Sequence, residues 1–118
     1  MAESRWTQSM LLDFYGELLT DKQRTCFDLH YNEDLSLSEI AEQLGISRQG
    51  VWDNIRRAEA AMAEVEEKTG LLRRFEENRQ ALESLREKLR KIRALTTGEA
   101  ASLAEEAEAE VETMIVRG

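Results

Sequence analysis

The segment Leu35–Ala58, LSLSEIAEQLGISRQGVWDNIRRA, carries start and stop signals for two helices separated by one glycine and two further residues. Ser36 with Glu39 three positions on has the form of a capping box, and Leu35 and Ile40 are spaced for a hydrophobic staple. Leu37, Ile40, Ala41 and Leu44 then make one apolar face at helical spacing. Gly45 follows the last apolar residue, where a left-handed backbone is needed to stop a helix. Ser47 caps the next helix, with Ile46 and Val51 as a second staple. Helices joined this closely must cross sharply, and the small Ala41 suits such a crossing. The segment therefore reads as a helix-turn-helix.

The second helix carries Val51, Ile55, Ala58, Met62 and Val65 on one face in steps of four and three. With those turned inward, Arg48, Gln49, Asp53, Asn54 and Arg57 turn outward. Arginine and amide side chains are the ones whose geometry pairs with guanine and adenine edges. They occupy the first turns of the helix, the part such a motif presents to a major groove. Ser47, Arg48, Gln49, Asp53, Asn54, Arg56 and Arg57 are thus the candidate nucleic-acid-binding residues, with Arg56 on phosphate. The competing reading is a solvated helix face or a protein contact. Trp52 neighbours the apolar stripe without lying on it. Burial against the N-terminal helices is its expected role, and base stacking is the alternative.

Around this motif the pattern stays helical. Residues 7–18 place Met10, Leu11, Phe14, Leu18 and Leu19 as an amphipathic helix. Thr20 with Gln23 is another capping box and opens a helix to about Tyr31. The chain has no proline and only six glycines, which favours long uninterrupted helices. The helix begun at Arg48 runs to about Lys68, where Thr69-Gly70 interrupts it.

These residues also resemble a known family. The core alone looks like the region-4 domain of bacterial sigma factors, including the extracytoplasmic-function types. A closer resemblance is to the small YlxM family of helix-turn-helix proteins. It rests on Asp13-Phe14-Tyr15, Leu18-Leu19-Thr20 with Lys22-Gln23, Leu37, Glu39-Ile40-Ala41, Ser47-Arg48-Gln49, Val51, Asp53-Asn54-Ile55, Arg57 and Glu59. Trp52 also fits, since the family has an aromatic residue there. The resemblance covers about the first 75 residues. It implies a small cytoplasmic regulatory protein linked to the signal recognition particle pathway, largely through gene neighbourhood with the particle's GTPases. Nothing beyond position 96 carries a motif of the family.

Residues 71–118 form a second part, a helical arm after a helix-turn-helix domain at 1–70. From 71 to 95, Phe75, Leu82 and Leu89 hold heptad position a, and Leu71, Asn78, Leu85 and Ile92 hold d. The flanking residues are basic, so self-pairing of this helix alone would oppose like charges. Residues 98–116 supply an acidic complement. Thr96 is expected to cap this last helix, with Glu99 at its third position. Leu103, Ala107, Val111 and Met114 form its stripe among Glu105, Glu106, Glu108, Glu110 and Glu112. The expectation is an antiparallel fold-back, within one chain or across a homodimer; a fraying acidic tail is the alternative.

The charge balance limits the partners. The chain carries 16 Lys or Arg against 24 Asp or Glu, a net −8. Phosphate neutralisation needs cations, so nucleic acid must meet a local basic surface. Besides the arginines of the motif, Arg86, Lys88, Arg90, Lys91 and Arg93 are candidate phosphate-binding residues. Four such contacts would give a salt slope of roughly −3. Docking of the acidic helix over them would compete with RNA.

Cys26 is the only cysteine. It supports neither a disulfide nor a zinc site and is expected as a small buried apolar group. His30 is the only histidine, no glycine-rich phosphate loop is present, and no carboxylates have metal spacing. Catalysis, cofactors and metals are therefore not expected. No apolar run approaches a membrane span and the N-terminus lacks a signal peptide's apolar region, so a cytoplasmic protein without membrane insertion is expected. The sequence thus predicts an all-α protein that binds nucleic acid, either DNA or the particle's RNA. The alternative is an adaptor that binds the particle's GTPase, with the motif as scaffold.

Overall fold

A computed structural model describes residues 4–117. It contains six α-helices and, among the described residues, no strand, an all-α fold as the sequence predicts. The chain separates into two compact units, Met1–Leu72 and Arg73–Gly118.

In the first unit, α1 spans Arg5–Tyr15 and starts where the Ser4 hydroxyl accepts the Thr7 N–H at 3.1 Å. Its inward face is Gln8, Leu11 and Tyr15, one position off the stripe read from the sequence. The helix also ends earlier than expected. Residues Gly16–Leu18 tighten into a 3-10 turn, which turns Leu19 into the core and leaves Leu18 64% exposed. Phe14 is likewise outside the core. A residue added or lost per turn rotates every later side chain, so a local 3-10 turn resets the stripe.

Helix α2, Asp21–Tyr31, opens on Thr20 and Gln23 with both bonds of the capping box formed. Cys26 and Phe27 are fully buried, and the Phe27 and Tyr31 rings pack at 4.6 Å between centroids. Helix α3, Leu37–Leu44, has the same reciprocal box: Ser36 accepts from Glu39 N–H and Glu39 from Ser36 N–H. It ends at Gly45 with φ 70° and ψ 34°, whose N–H bonds to the Ala41 carbonyl. That left-handed backbone costs an L residue about 1–2 kcal/mol and glycine very little. Helix α4, Arg48–Thr69, begins on Ser47, whose hydroxyl accepts the Gly50 N–H at 2.9 Å. A Cβ on Gly50 would stand 3.2 Å from that hydroxyl, so glycine leaves the cap room.

The long α4 is the spine of this unit, with α1, α2 and α3 packed against it. Val51, Ile55, Ala58 and Met62 are its buried face, four of the five residues of the stripe predicted from spacing; the fifth, Val65, is half-buried. Cys26, Ile40, Ala41, Val51 and Ile55 form one core cluster, ringed by Leu29, Tyr31, Leu35, Leu37, Leu44 and Ile46. Burying each larger aliphatic side chain there contributes about 2 kcal/mol. Gly70, with φ 62°, stops α4.

Helix α5, Leu71–Leu95, follows directly. In the second unit its residues from Arg73 on pack with α6, Glu99–Arg117. The two run antiparallel: Arg86 reaches Glu112 at 3.0 Å, and Arg90 and Arg93 reach Glu108 at 3.2 and 3.1 Å. Ala104 and Val111 are the buried residues of α6. One expectation fails at the turn between them. Thr96 does not cap α6; its hydroxyl donates to the Ile92 carbonyl at 2.7 Å and finishes α5 instead. Gly98, with φ 68°, makes the reversal, and its carbonyl accepts the first α6 bond, from Ser102. No helix of the described residues is long and apolar enough to cross a membrane.

Candidate nucleic-acid interface

With its inward face buried, α4 leaves a second face outside, and the sequence-predicted residues divide there by how they are engaged. Arg48 and Arg57 are exposed and take part in no ion pair among the described residues. Gln49 is exposed and donates its amide to Asp53 at 3.0 Å, so the two form one polar unit a helical turn apart. Asn54 is half-buried and donates to the Gly50 carbonyl at 2.8 Å. That bond turns part of its amide onto its own helix and away from any base. The Ser47 hydroxyl is occupied by its cap.

Trp52 corrects the expectation of burial. It is 44% exposed, and the Arg56 guanidinium lies over its ring, 5.2 Å from the centroid. One turn on the same helix brings the two side chains together, and a cation over an aromatic face is attracted by the ring quadrupole. Arg56 also pairs with Glu59 at 3.4 Å. Its charge is thus shared before any phosphate arrives. The spacing of four was legible in the sequence; the exposure was not.

Glu59 joins this face to the core, because Tyr31 donates its hydroxyl to it. Burial, with the Glu59 bond and charge added, pushes the Tyr31 phenol up to about 12. Arg5, which the sequence did not single out, is fixed elsewhere. It donates to the His30 and Tyr31 carbonyls at 3.3 and 2.8 Å and pairs with Asp34. A guanidinium at a helix C-terminus satisfies carbonyls that the helix leaves open. His30 is bonded through Nδ1 to the Leu35 carbonyl at 3.1 Å, which makes it part of the α2–α3 connection.

The candidate phosphate-binding residues of α5 are also divided. Arg86, Arg90 and Arg93 are held by Glu108 and Glu112, and Arg90 additionally by Glu87. The bond to Glu112 raises the Arg86 pKa above its ordinary value. Lys88 and Lys91 are exposed, with no ion pair among the described residues.

A short helix, a left-handed glycine and a longer helix with arginines and amides on its outer face define a helix-turn-helix protein. The chain belongs to the UPF0122 family, described as "Putative helix-turn-helix protein, YlxM / p13 like", whose model matches residues 2–101. The match extends through α5, beyond the 75 or so residues that carry the motif-level resemblance. A UPF0122 protein of Geobacillus kaustophilus is 52% identical over 87 residues, 74% of this chain and 79% of that one. One from Thermoanaerobacter sp. is 48% identical over 85 residues, 72% and 73%. One from Halalkalibacterium halodurans is 47% identical over 87 residues, 74% and 80%.

Proposed function

We propose that this chain is a regulatory nucleic-acid-binding protein that reads its target with the first three turns of α4. The observation that carries the reading is the state of Arg48 and Arg57. Both stand exposed, without an ion pair among the described residues, on the helix whose Val51, Ile55, Ala58 and Met62 are buried. Gln49 with Asp53 adds a hydrogen-bonding edge between them, and Trp52 under Arg56 adds a flat apolar surface beside it. Residues 1–70 balance to −7, so sequence-independent attraction is weak and the local arginines must supply the contacts. Of the five candidate cations of α5, Lys88 and Lys91 are the two without an ion pair among the described residues.

The membership in a helix-turn-helix family supports this reading. The resemblance to the YlxM proteins supports its finer form, a cytoplasmic component of the signal recognition particle pathway whose nucleic acid is the particle's RNA. The test is fluorescence anisotropy with labelled particle RNA and, separately, mixed-sequence duplex DNA across a salt series. Arg48→Ala and Arg57→Ala should each weaken binding about tenfold and reduce the salt slope by about 1. Binding unchanged in both variants overturns the reading.

A second reading has its own support: a protein adaptor for the particle's GTPase. The acidic balance of residues 1–70 and the exposed apolar surface of Trp52 and Leu18 fit a basic, partly apolar protein partner. It predicts capture of the purified GTPase that survives Arg48→Ala and Arg57→Ala.

A further inference from the structure

In the second unit, two helices share one seam. Between Arg73 and Leu95, α5 contributes no fully buried side chain; its one buried residue, Leu72, precedes the unit. Two helices make a line of contact and cannot enclose a core. Large apolar side chains stay outside: Leu85 is 45% exposed, Ile92 47%, Leu103 58% and Met114 55%.

These four lie on one side of the hairpin. Arg86 and Arg93 reach Glu112 and Glu108, so they mark the line of α5 that faces α6. Buried Ala104 and Val111 mark the facing line of α6, with the half-buried Ile115 on the same stripe, and both Ile115 and the more exposed Met114 line a cleft with Phe75 and Leu82. Leu85 and Ile92 each precede a facing residue of α5 by one position; Leu103 and Met114 do the same on α6. One position is a rotation of about 100°. In antiparallel right-handed helices, the same backward step turns both toward the same side. The result is an apolar strip with Lys88 on its α5 edge and Glu110 on its α6 edge. Both are exposed and without an ion pair among the described residues.

We propose that this strip is the contact surface between two copies of this chain, related by a twofold axis parallel to the helices. The charges select the axis. A twofold axis across the helices would lay α5 on the partner's α5 and α6 on its α6, setting basic edge against basic edge. An axis along them lays α5 on the partner's α6, basic edge against acidic edge, twice by symmetry. The register then follows from the hairpin. Arg86 is level with Glu112 and Arg90 with Glu108, so Lys88 is level with Glu110 on the opposite edge. A rotation about an axis parallel to the helices leaves heights unchanged. Lys88 therefore meets the partner's Glu110, Leu85 falls level with the partner's Met114, and Ile92 lies within about a turn of the partner's Leu103. The product is a four-helix bundle whose core neither copy can form alone. It engages Lys88 and leaves Lys91 as the unpaired lysine of the candidate set.

Sedimentation equilibrium on the full chain tests this, with circular dichroism to confirm that each variant keeps its helix. The expected result is a dimer that Leu85→Asp dissociates. Lys88→Glu and Glu110→Lys should each weaken dimerisation about tenfold, since two exposed pairs turn from attractive to repulsive. An equimolar mixture of those two single variants should recover a heterodimer, because both of its charged contacts are again opposite. A chain that stays monomeric at all concentrations overturns the proposal, and so does a dimer that Leu85→Asp leaves intact. A dimer strengthened by Lys88→Glu also overturns it, since that sign belongs to the crossed axis.

Discussion

Tyr15 donates its phenolic hydroxyl to Oε1 of Glu66 at 2.7 Å, and the same oxygen accepts the Leu72 backbone N–H at 3.0 Å. One carboxylate thus ties α1 and the first turn of α5 to the last turns of α4. The Tyr15 hydroxyl also meets Thr69 Oγ1 at 2.6 Å, so it sits in a small network. Tyr15→Phe keeps the ring and its burial but removes these bonds. The expected loss is about 1 kcal/mol, seen as a drop of a few degrees in the thermal midpoint by circular dichroism. An unchanged midpoint would show that the network adds nothing beyond the packed ring.

Gly45→Ala isolates the cost of the turn. Nothing lies within 4 Å of a Cβ built there, while the backbone is left-handed at φ +70°. The penalty is therefore conformational with no clash, about 1 kcal/mol. Urea unfolding should show a lower midpoint with an unchanged slope.

Trp52 separates a surface role from a structural one. Because the ring is about half outside the core, Trp52→Ala should cost about 1 kcal/mol or less, mostly the contact with Arg56. A loss of several kcal/mol would mean that Trp52 is a core residue after all. RNA binding should fall markedly in Trp52→Ala and recover in Trp52→Phe, as expected of a stacking surface.

Tyr31 gives the fold an alkaline limit. Its phenol stands near 12 in the folded protein against an ordinary 10.0. A folded pKa above the unfolded one contributes stability that is full below pH 10 and declines as pH rises toward 12. Tyr31→Phe should remove that share of the alkaline loss, measured by chemical unfolding across this window. An identical pH profile in the variant would rule out the Tyr31–Glu59 bond as its source.

Glu108 is the acidic hub of the hairpin, since Arg90 and Arg93 both converge on it and its side chain is mostly covered. Glu108→Gln should lower stability by about 1 kcal/mol at low salt and by less at high salt, because both arginines remain half exposed. A deficit that does not shrink with salt would place its origin in packing and not in charge.

The sequence alone determined whatever depends on neighbours a few positions away. The capping boxes at Thr20 and Ser36, the stop at Gly45, the buried stripe Val51–Ile55–Ala58–Met62 and the burial of Cys26 were all legible. Caps close bonds over three residues, and a helical stripe is fixed by a constant rotation per residue. The tertiary structure decided which of several locally possible arrangements forms, and which residues far apart in the chain meet. It turned Trp52 outward under Arg56, rotated Leu18 out through a 3-10 turn, and bonded Thr96 to Ile92 where a cap for α6 was expected. It also set Arg5 on the end of α2 and engaged three of the five α5 cations with glutamates of α6. Pairings such as Tyr15 with Glu66, 51 residues apart, leave no periodic trace, because a hydrogen bond needs only that two groups meet in space.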